Sequence, residues 1–364
     1  MLASLLAVAV FAGFGGAGPA PGAAPPPDSG GAAALTLAQA VGQRLVVSLP
    51  GTTVPDALAR QVRRGEVAGV ILFSRNIASR AHLRALTARL QAERRRGPAA
   101  LRALPLLVMI DQEGGLVKRL PGAPSRSAAQ MGATGDPATV RAEGVATARN
   151  LRGVGVNVDL APVLDLGLAG SFQRASGRAF GATPAAVSRY GGAFADGLAA
   201  GGVLATAKHF PGLGRATMNE DVRLNRIEVD RDVLRAQDEA PFAALARDGV
   251  PLTMVSTGIY PALAARPALF APAIATQDLR DAVGFGGVAI TDDLEVPALA
   301  HLSPERKALA AVRAGDDLLL FAQTASAAQR GAAALRRAVA RGTIARATID
   351  AGVQRVLALR ARLR

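Results

Sequence analysis

The chain has 364 residues, half of them hydrophobic, with no cysteine, three histidines and a formal net charge of +14. That composition excludes a disordered polymer, a disulfide framework and any cysteine-based zinc or iron–sulfur site, and it leaves too little histidine for a histidine-rich metal centre. The basic charge is almost all arginine, since Lys118, Lys208 and Lys307 are the only lysines. The arginines scatter along the chain, and groups such as Arg60, Arg63 and Arg64, then Arg94, Arg95 and Arg96, then Arg336 and Arg337 read as solvated helix faces rather than a polyanion track. Aromatic residues make up 4% and tryptophan is absent, so base-stacking platforms are scarce and nucleic acid is not an expected partner.

Residues 2–14 are apolar, and a stretch rich in Gly, Ala and Pro follows to Ala34. The apolar run is short for a bilayer span. It is similar to the core of a secretory leader, with small residues between Ala20 and Ala24 that suit cleavage. No Lys or Arg precedes the run, and no Cys follows it to carry a lipid. The expectation is a leader and flexible segment over residues 1–34 and one folded domain over residues 35–364. The protein is then secreted or associated with the cell envelope, without stable insertion of the mature chain. It is cytoplasmic if the apolar segment is not a leader.

From residue 35 onward a short apolar, β-branched run ending in polar or Gly residues alternates with an amphipathic stretch rich in Ala and Arg. The strand-like runs are 44–49, 67–73, 105–110, 156–160, 203–207, 252–255, 288–290 and 317–321. Their nearly continuous apolar character fits strands buried on both faces. The stretches between have helical period, as Ile349, Val353, Val356 and Leu363 illustrate near the carboxyl terminus. Eight strands alternating with helices predict a TIM-type (β/α)8 barrel, class α/β, in a single domain. A doubly wound sheet is the alternative, but Leu49-Pro50-Gly51-Thr52 is not the phosphate loop that its first strand normally carries.

In such a barrel the active site lies at the carboxyl ends of the strands, and polar residues gather there. The second run leads into Ser74-Arg75-Asn76, the third into Asp111-Gln112-Glu113-Gly114-Gly115 and the fourth into Pro162-Val163-Leu164-Asp165. The fifth leads into Lys208-His209-Phe210-Pro211-Gly212, the sixth into Ser256-Thr257-Gly258 and the seventh into Thr291-Asp292-Asp293. Converging unpaired charges are costly to bury, so a ligand or mutual pairing is expected. An ion pair of Asp111 with Arg119 is the bland explanation for that one acid.

Five motifs in this order carry a resemblance: Ile71-Leu72-Phe73-Ser74-Arg75-Asn76, Ile110-Asp111-Gln112-Glu113-Gly114-Gly115, Ala161-Pro162-Val163-Leu164-Asp165, Lys208-His209-Phe210-Pro211-Gly212 and Thr291-Asp292-Asp293-Leu294. From Leu35 to the carboxyl terminus the chain resembles the barrel domain of family 3 glycoside hydrolases, and most of all their single-domain bacterial β-N-acetylglucosaminidases. No second, sandwich-type domain is expected. The resemblance implies a retaining exo-β-glycosidase that removes a terminal β-linked sugar such as N-acetylglucosamine, without cofactor or metal. It implies Asp292 as nucleophile, Asp293 as structural, and Asp111, Arg119, Arg178, Lys208 and His209 as the residues that hold the sugar hydroxyls. Phe172, Phe180, Phe210 and Tyr260 are expected near the mouth, with a small saccharide or cell-wall glycan fragment as the bound partner.

One motif departs from the pattern. The family's acetylglucosaminidases carry Asp-Ser-His on a mobile loop after the Lys-His-Phe-Pro-Gly run, with the His as acid/base. Here those positions hold Asn219-Glu220-Asp221. Leu213 and Thr257 also stand where the family often has His. Either Asp221 serves as acid/base on a mobile loop between Gly212 and Arg223, with Glu113 and Glu220 next in line, or acid/base catalysis is lost. In the second case the protein is an impaired homologue that binds cell-wall glycan or an acidic polymer.

Overall fold

The computed structural model describes Ala32 and residues 34–363. The expected leader lies almost wholly outside them. Each of the eight expected runs contains a parallel strand: β1 (Leu45–Ser48), β2 (Gly69–Leu72), β3 (Leu107–Ile110), β4 (Val158–Asp159), β5 (Leu204–Phe210), β6 (Leu252–Val255), β7 (Val288–Thr291) and β8 (Leu319–Phe321). They pair in the order β7-β6-β5-β4-β3-β2-β1-β8. Ile290 bridges Leu318 in parallel, and the Thr291 N–H donates to the Leu318 carbonyl at 2.9 Å, so the sheet closes on itself as a barrel. β5 runs three residues past its expected end. Its extra backbone pairs with the loop after β4, through Lys208 N–H to Pro162 O at 3.1 Å and Leu164 N–H to Lys208 O at 2.6 Å. Two short hairpins, Gln112–Gly114 with Val117–Lys118 and Ile259–Tyr260 with Ala264–Pro267, add to the upper face.

Strand side chains alternate between faces, and that alternation builds two cores. Val46, Ile71, Leu107, Met109, Val158, Leu252, Met254, Val288, Ile290, Leu318 and Leu320 fill the barrel interior. Their neighbours Leu45, Val47, Val70, Leu72, Val108, Ile110, Val255, Ala289, Leu319 and Phe321 pack outward against the helices. The helices start at legible caps. Asp136 accepts from the Ala138 and Thr139 N–H groups ahead of Pro137–Arg152, and Thr183 caps Pro184–Ala200 in the same way. These two helices approach closely enough to require glycine: a Cβ on Gly144 would meet Phe194 O at 2.4 Å, and one on Gly197 would meet Arg141 O at 2.3 Å.

The amino-terminal pole is sealed by charge. Asp317, wholly buried, accepts from Arg280 Nη2 at 2.5 Å and Arg355 Nη2 at 2.9 Å, while the buried Arg44 bonds the Asp316 and Asp317 carbonyls. Arg94 is also buried, with Nε donating to Leu104 O at 3.3 Å. The expectation that Arg94, Arg95 and Arg96 all lie on a solvated face is corrected at that position, because the helix Arg80–Arg95 turns Arg94 onto the segment leading to β3.

Candidate active site

A cavity of about 370 Å³ opens at the carboxyl ends of the strands, and Ile71, Leu160, Met254 and Leu320, the top of the interior core, form its floor. The alternation that points Ile71, Met109, Leu204 and Ile290 inward continues two or four residues on. It delivers Phe73, Asp111, Lys208 and Asp292 to the cavity wall.

One side of the wall is a ladder of opposite charges. Lys208 Nζ lies 2.9 Å from Asp111 Oδ1 and 2.7 Å from Glu113 Oε1. Arg178 grips Glu113 with two bonds of 2.9 Å and reaches Glu220 Oε1 at 3.8 Å, and Arg119 Nη2 stands 3.5 Å from Asp111 Oδ2. Burial alone would raise the Glu113 carboxyl, but Arg178 and Lys208 outweigh it and hold that group well below the carboxylate range. Burial would likewise lower the Lys208 amine, yet Asp111 and Glu113 keep it above its ordinary value. Both stay charged at any working pH, so Glu113 is unfit to donate a proton. Lys208 is buried between two carboxylates, and Lys208→Ala is expected to cost about 3–5 kcal/mol of stability because it strands them. Urea unfolding at pH 7 measures it, and a loss under 1 kcal/mol contradicts this account of the ladder.

His209 is fixed from behind. Its Nδ1 lies 2.7 Å from Asp165 Oδ2, and Asp165 Oδ1 accepts from the His209 N–H at 3.2 Å and the Leu213 N–H at 2.7 Å. That leaves Nε2 turned into the cavity, 3.6 Å from Glu220 Oε1. Burial opposes charge on the imidazole, but Asp165 and then Glu220 outweigh it and raise its pKa. His209, Glu220 and Asp292 each bring one donor atom within 4.8 Å of the others. Arg178 and His209 face Glu220, and His209 favours the charged form of Asp292.

Asp292 ends β7. Its Oδ1 accepts from the Asp293 N–H at 2.8 Å, and its buried Oδ2 has no hydrogen-bond partner. Burial, reinforced by Asp221 and Glu220 and opposed by His209, pushes its pKa up to about 7. Asp293 turns away. It accepts from the Glu295 and Ala322 N–H groups at 2.9 and 3.0 Å and from Gln323 Nε2 at 3.2 Å, which ties the top of β7 to β8.

The loop from Gly212 to Arg223 brings Asn219, Glu220 and Asp221 to the cavity. It is anchored at its root, where a Cβ on Gly214 would meet Leu166 O at 2.6 Å and Ala216 O accepts from the Phe172 N–H at 2.8 Å. Farther along, Asp221 O accepts from the Ala298 N–H at 3.2 Å. Glu220 is buried. Asp221 stands exposed on the rim, free of any ion pair among the described residues, and its carboxyl is raised by desolvation in the mouth and by Glu220 beside it.

Residues 36–359 match the family described as glycosyl hydrolase family 3 N terminal domain. The chain belongs to glycosyl hydrolase family 3. It is 37% identical over 341 residues to a protein of Arthroderma benhamiae named uncharacterized secreted glycosyl hydrolase, covering 91% of this chain and 95% of that one. It is also 37% identical over 289 residues to a beta-hexosaminidase of Alkalilimnicola ehrlichii, covering 76% and 80%. Among solved structures, the family 3 beta-N-acetylglucosaminidase of Paenibacillus sp. FPU-7 superposes with a TM-score of 0.86 at 33% identity, over 91% of this chain and 63% of that one. The beta-N-acetylhexosaminidase of Beutenbergia cavernae gives 0.82 at 32%, over 90% and 99%.

This family 3 barrel brings together all seven residues singled out in the sequence: Asp111, Arg119, Arg178, Lys208, His209, Asp221 and Asp292 line one cavity. Asp165 and Thr257 do not line it, and Asn76 is turned to the backbone of the first loop, with Nδ2 donating to Leu49 and Gly51 carbonyls. The expectation about aromatics is corrected at three of four positions. Phe180 and Phe210 are core residues packed on Phe194 and Phe242, and the buried Tyr260 hydroxyl donates to Gly212 O at 2.9 Å. Phe172 does line the cavity, as does Phe73, with Arg75 and Arg119 over its ring at 4.4 and 5.7 Å. Strand alternation from Ile71 was the signal that could have found Phe73.

Proposed function

We propose that this family 3 glycoside hydrolase is a retaining exo-β-glycosidase acting on a terminal β-linked N-acetylglucosamine, with Asp292 as nucleophile and Asp221 as acid/base. The observation that carries the reading is Asp292 Oδ2, a buried carboxylate oxygen without a partner in a cavity whose other walls offer alternating donors and acceptors. Asp111, Arg119, Arg178, Lys208 and His209 would hold the ring hydroxyls, with Lys208 and Arg178 already held in place by Glu113. Asp292 attacks C1 as the glycosidic bond breaks, and the departing oxygen takes the proton of Asp221. Asp221, now a carboxylate, takes a proton from water as that water attacks C1, and Asp292 is released. The sugar is argued from the hexosaminidase relatives. Residues 1–34 as an export leader and residues 35–364 as the catalytic domain are argued from the apolar amino terminus and the secreted Arthroderma relative.

The test is a panel of aryl β-glycosides with a fluorinated trapping analogue of the preferred sugar. The N-acetylglucosaminide is expected to be cleaved fastest, with a covalent sugar on the peptide containing Asp292. Binding of a wall glycan or an acidic polymer without release of any aryl group would favour the impaired-homologue reading.

A further inference from the structure

Three large hydrophobic side chains are exposed among the described residues: Leu116 at 79%, Val222 at 64% and Met218 at 40%. All three sit on two segments that contribute residues to the cavity lining. Leu116 is the tip of the hairpin Gln112–Gly114 with Val117–Lys118, and it lines the mouth. Met218 and Val222 flank in sequence Asn219, Glu220 and Asp221, which also line the cavity. Phe172, Val296 and Pro297 are further apolar residues of the lining. The Asp221 carbonyl accepts from the Ala298 N–H at 3.2 Å, which ties the segment carrying Asp221 to the one carrying Pro297. Isolated exposed hydrophobics are ordinary, but Leu116, exposed at 79%, shares the cavity lining with Phe172, Val296 and Pro297, and such a cluster marks a binding surface.

Apart from Asp221, several polar side chains on that rim are engaged by the protein itself. Ser176 Oγ donates to Phe172 O at 2.7 Å, Gln323 Nε2 donates to Asp293 Oδ2 at 3.2 Å, and Asn219 Oδ1 accepts from Asp221 N–H at 3.0 Å. The cavity therefore changes character with depth. Its lower wall carries charges that match hydroxyls, whereas its lip offers hydrocarbon and few vacant hydrogen-bonding side chains.

We infer that the lip formed by Leu116, Phe172, Val296 and Pro297 is a subsite for an apolar aglycone, an alkyl or aryl group joined to the terminal sugar, rather than for a second sugar. The inference rests on the glycosidase reading, because the lip gains its meaning from a sugar seated below it. A group leaving from C1 must pass Asp221 on the rim, and the lip is the surface it meets there. A hydroxylated second sugar would cover Leu116 and Pro297 without replacing the hydrogen bonds it loses to water.

The test uses the full chain and four substrates with unactivated leaving groups: methyl, butyl and octyl β-N-acetylglucosaminide, the last below its micellar concentration, and N,N′-diacetylchitobiose. A fully buried methylene is worth about fourfold in binding. An open lip covers each one only in part, so kcat/KM for the octyl substrate is expected to be at least about tenfold above that for the methyl substrate and above that for chitobiose. Leu116→Ser and Pro297→Ser, both at exposed positions on the lip, are expected to collapse the octyl-to-methyl ratio several-fold. A flat alkyl series, a preference for chitobiose, or a ratio untouched by both substitutions overturns the inference while leaving the glycosidase reading standing. Failure to cleave any of the four overturns the glycosidase reading instead. Calorimetric titration of the octyl and methyl glycosides onto the wild type and Leu116→Ser then decides the lip, and equal affinities overturn it.

Discussion

Asp292→Asn is expected to lower kcat by at least about 10⁴-fold, the scale on which an essential member of a catalytic constellation is missed, while the protein becomes more stable at neutral pH. The two effects share a cause. Asp292 is buried, one oxygen has no partner, and its pKa is pushed up to about 7. An unfolded aspartate titrates near 3.9, so the fold favours the protonated form. The native state bears no penalty from this group below pH ~4, an increasing one between about 4 and 7, and a constant one above that. Asparagine bears none, so the stability difference between variant and wild type should grow from pH 4 to 7 by about 2–4 kcal/mol and then level off. Wild-type kcat/KM should rise over the same interval as the nucleophile ionises, with an apparent pKa belonging to the acidic cluster as a whole. Activity retained in Asp292→Asn, or a stability difference that does not change with pH, removes Asp292 from the proposed role.

Asp221→Ala is expected to separate substrates by leaving group. An activated phenol departs with little help, so its release should change by less than about tenfold in the first step. An alkyl glycoside needs its oxygen protonated, and its cleavage should fall by about 10²–10⁴-fold. Azide should restore part of the lost turnover on the aryl substrate and yield a glycosyl azide, because the anion attacks the glycosyl-enzyme without base assistance. Equal losses on both substrates with no azide product would falsify the assignment. Loss confined to Glu220→Gln with the same leaving-group pattern moves the acid to the neighbouring position. The structure separates these two carboxylates clearly. Glu220 is buried, 3.6 Å from His209 and 3.8 Å from Arg178. Asp221 has no such partner and a raised pKa, which suits a group that must arrive protonated.

The barrel was legible because most of its eight strands lie in runs rich in Val, Ile, Leu and Met, too apolar to face water on either side, separated by capped helices whose boundaries are written in Asp136-Pro137 and Thr183-Pro184. The charged groups at the strand ends were legible for the same reason, since a charge directly after a buried strand has few places to go. Partnerships across the chain were not. Arg178 holds Glu113 from 65 residues away, and no local spacing records that. Glu113 therefore read as a spare acid when it is a fixed anion that positions two cations. Asp165 read as a member of the pocket when it is the brace behind His209. Phe180, Phe210 and Tyr260 were misplaced because flanking residues do not reveal which side of the barrel wall an aromatic ring occupies. Arg94 looked solvated because an arginine in a basic run gives no sign that its own helix turns it inward.

The charge seal at the amino-terminal pole has a consequence for how this protein can change. Arg44, Arg280 and Arg355 converge on Asp316 and Asp317 where β8 meets β1 and β7, so the two ends of the closing seam are locked at the pole remote from the cavity. The loops at the other pole are thereby relieved of holding the barrel shut. The segment from Gly212 to Arg223 is moored at its root through Gly212, Leu213 and Ala216 and by the Arg215–Asp238 ion pair. The side chain at position 221, outside those moorings, can therefore be exchanged without renegotiating the architecture that presents Asp292.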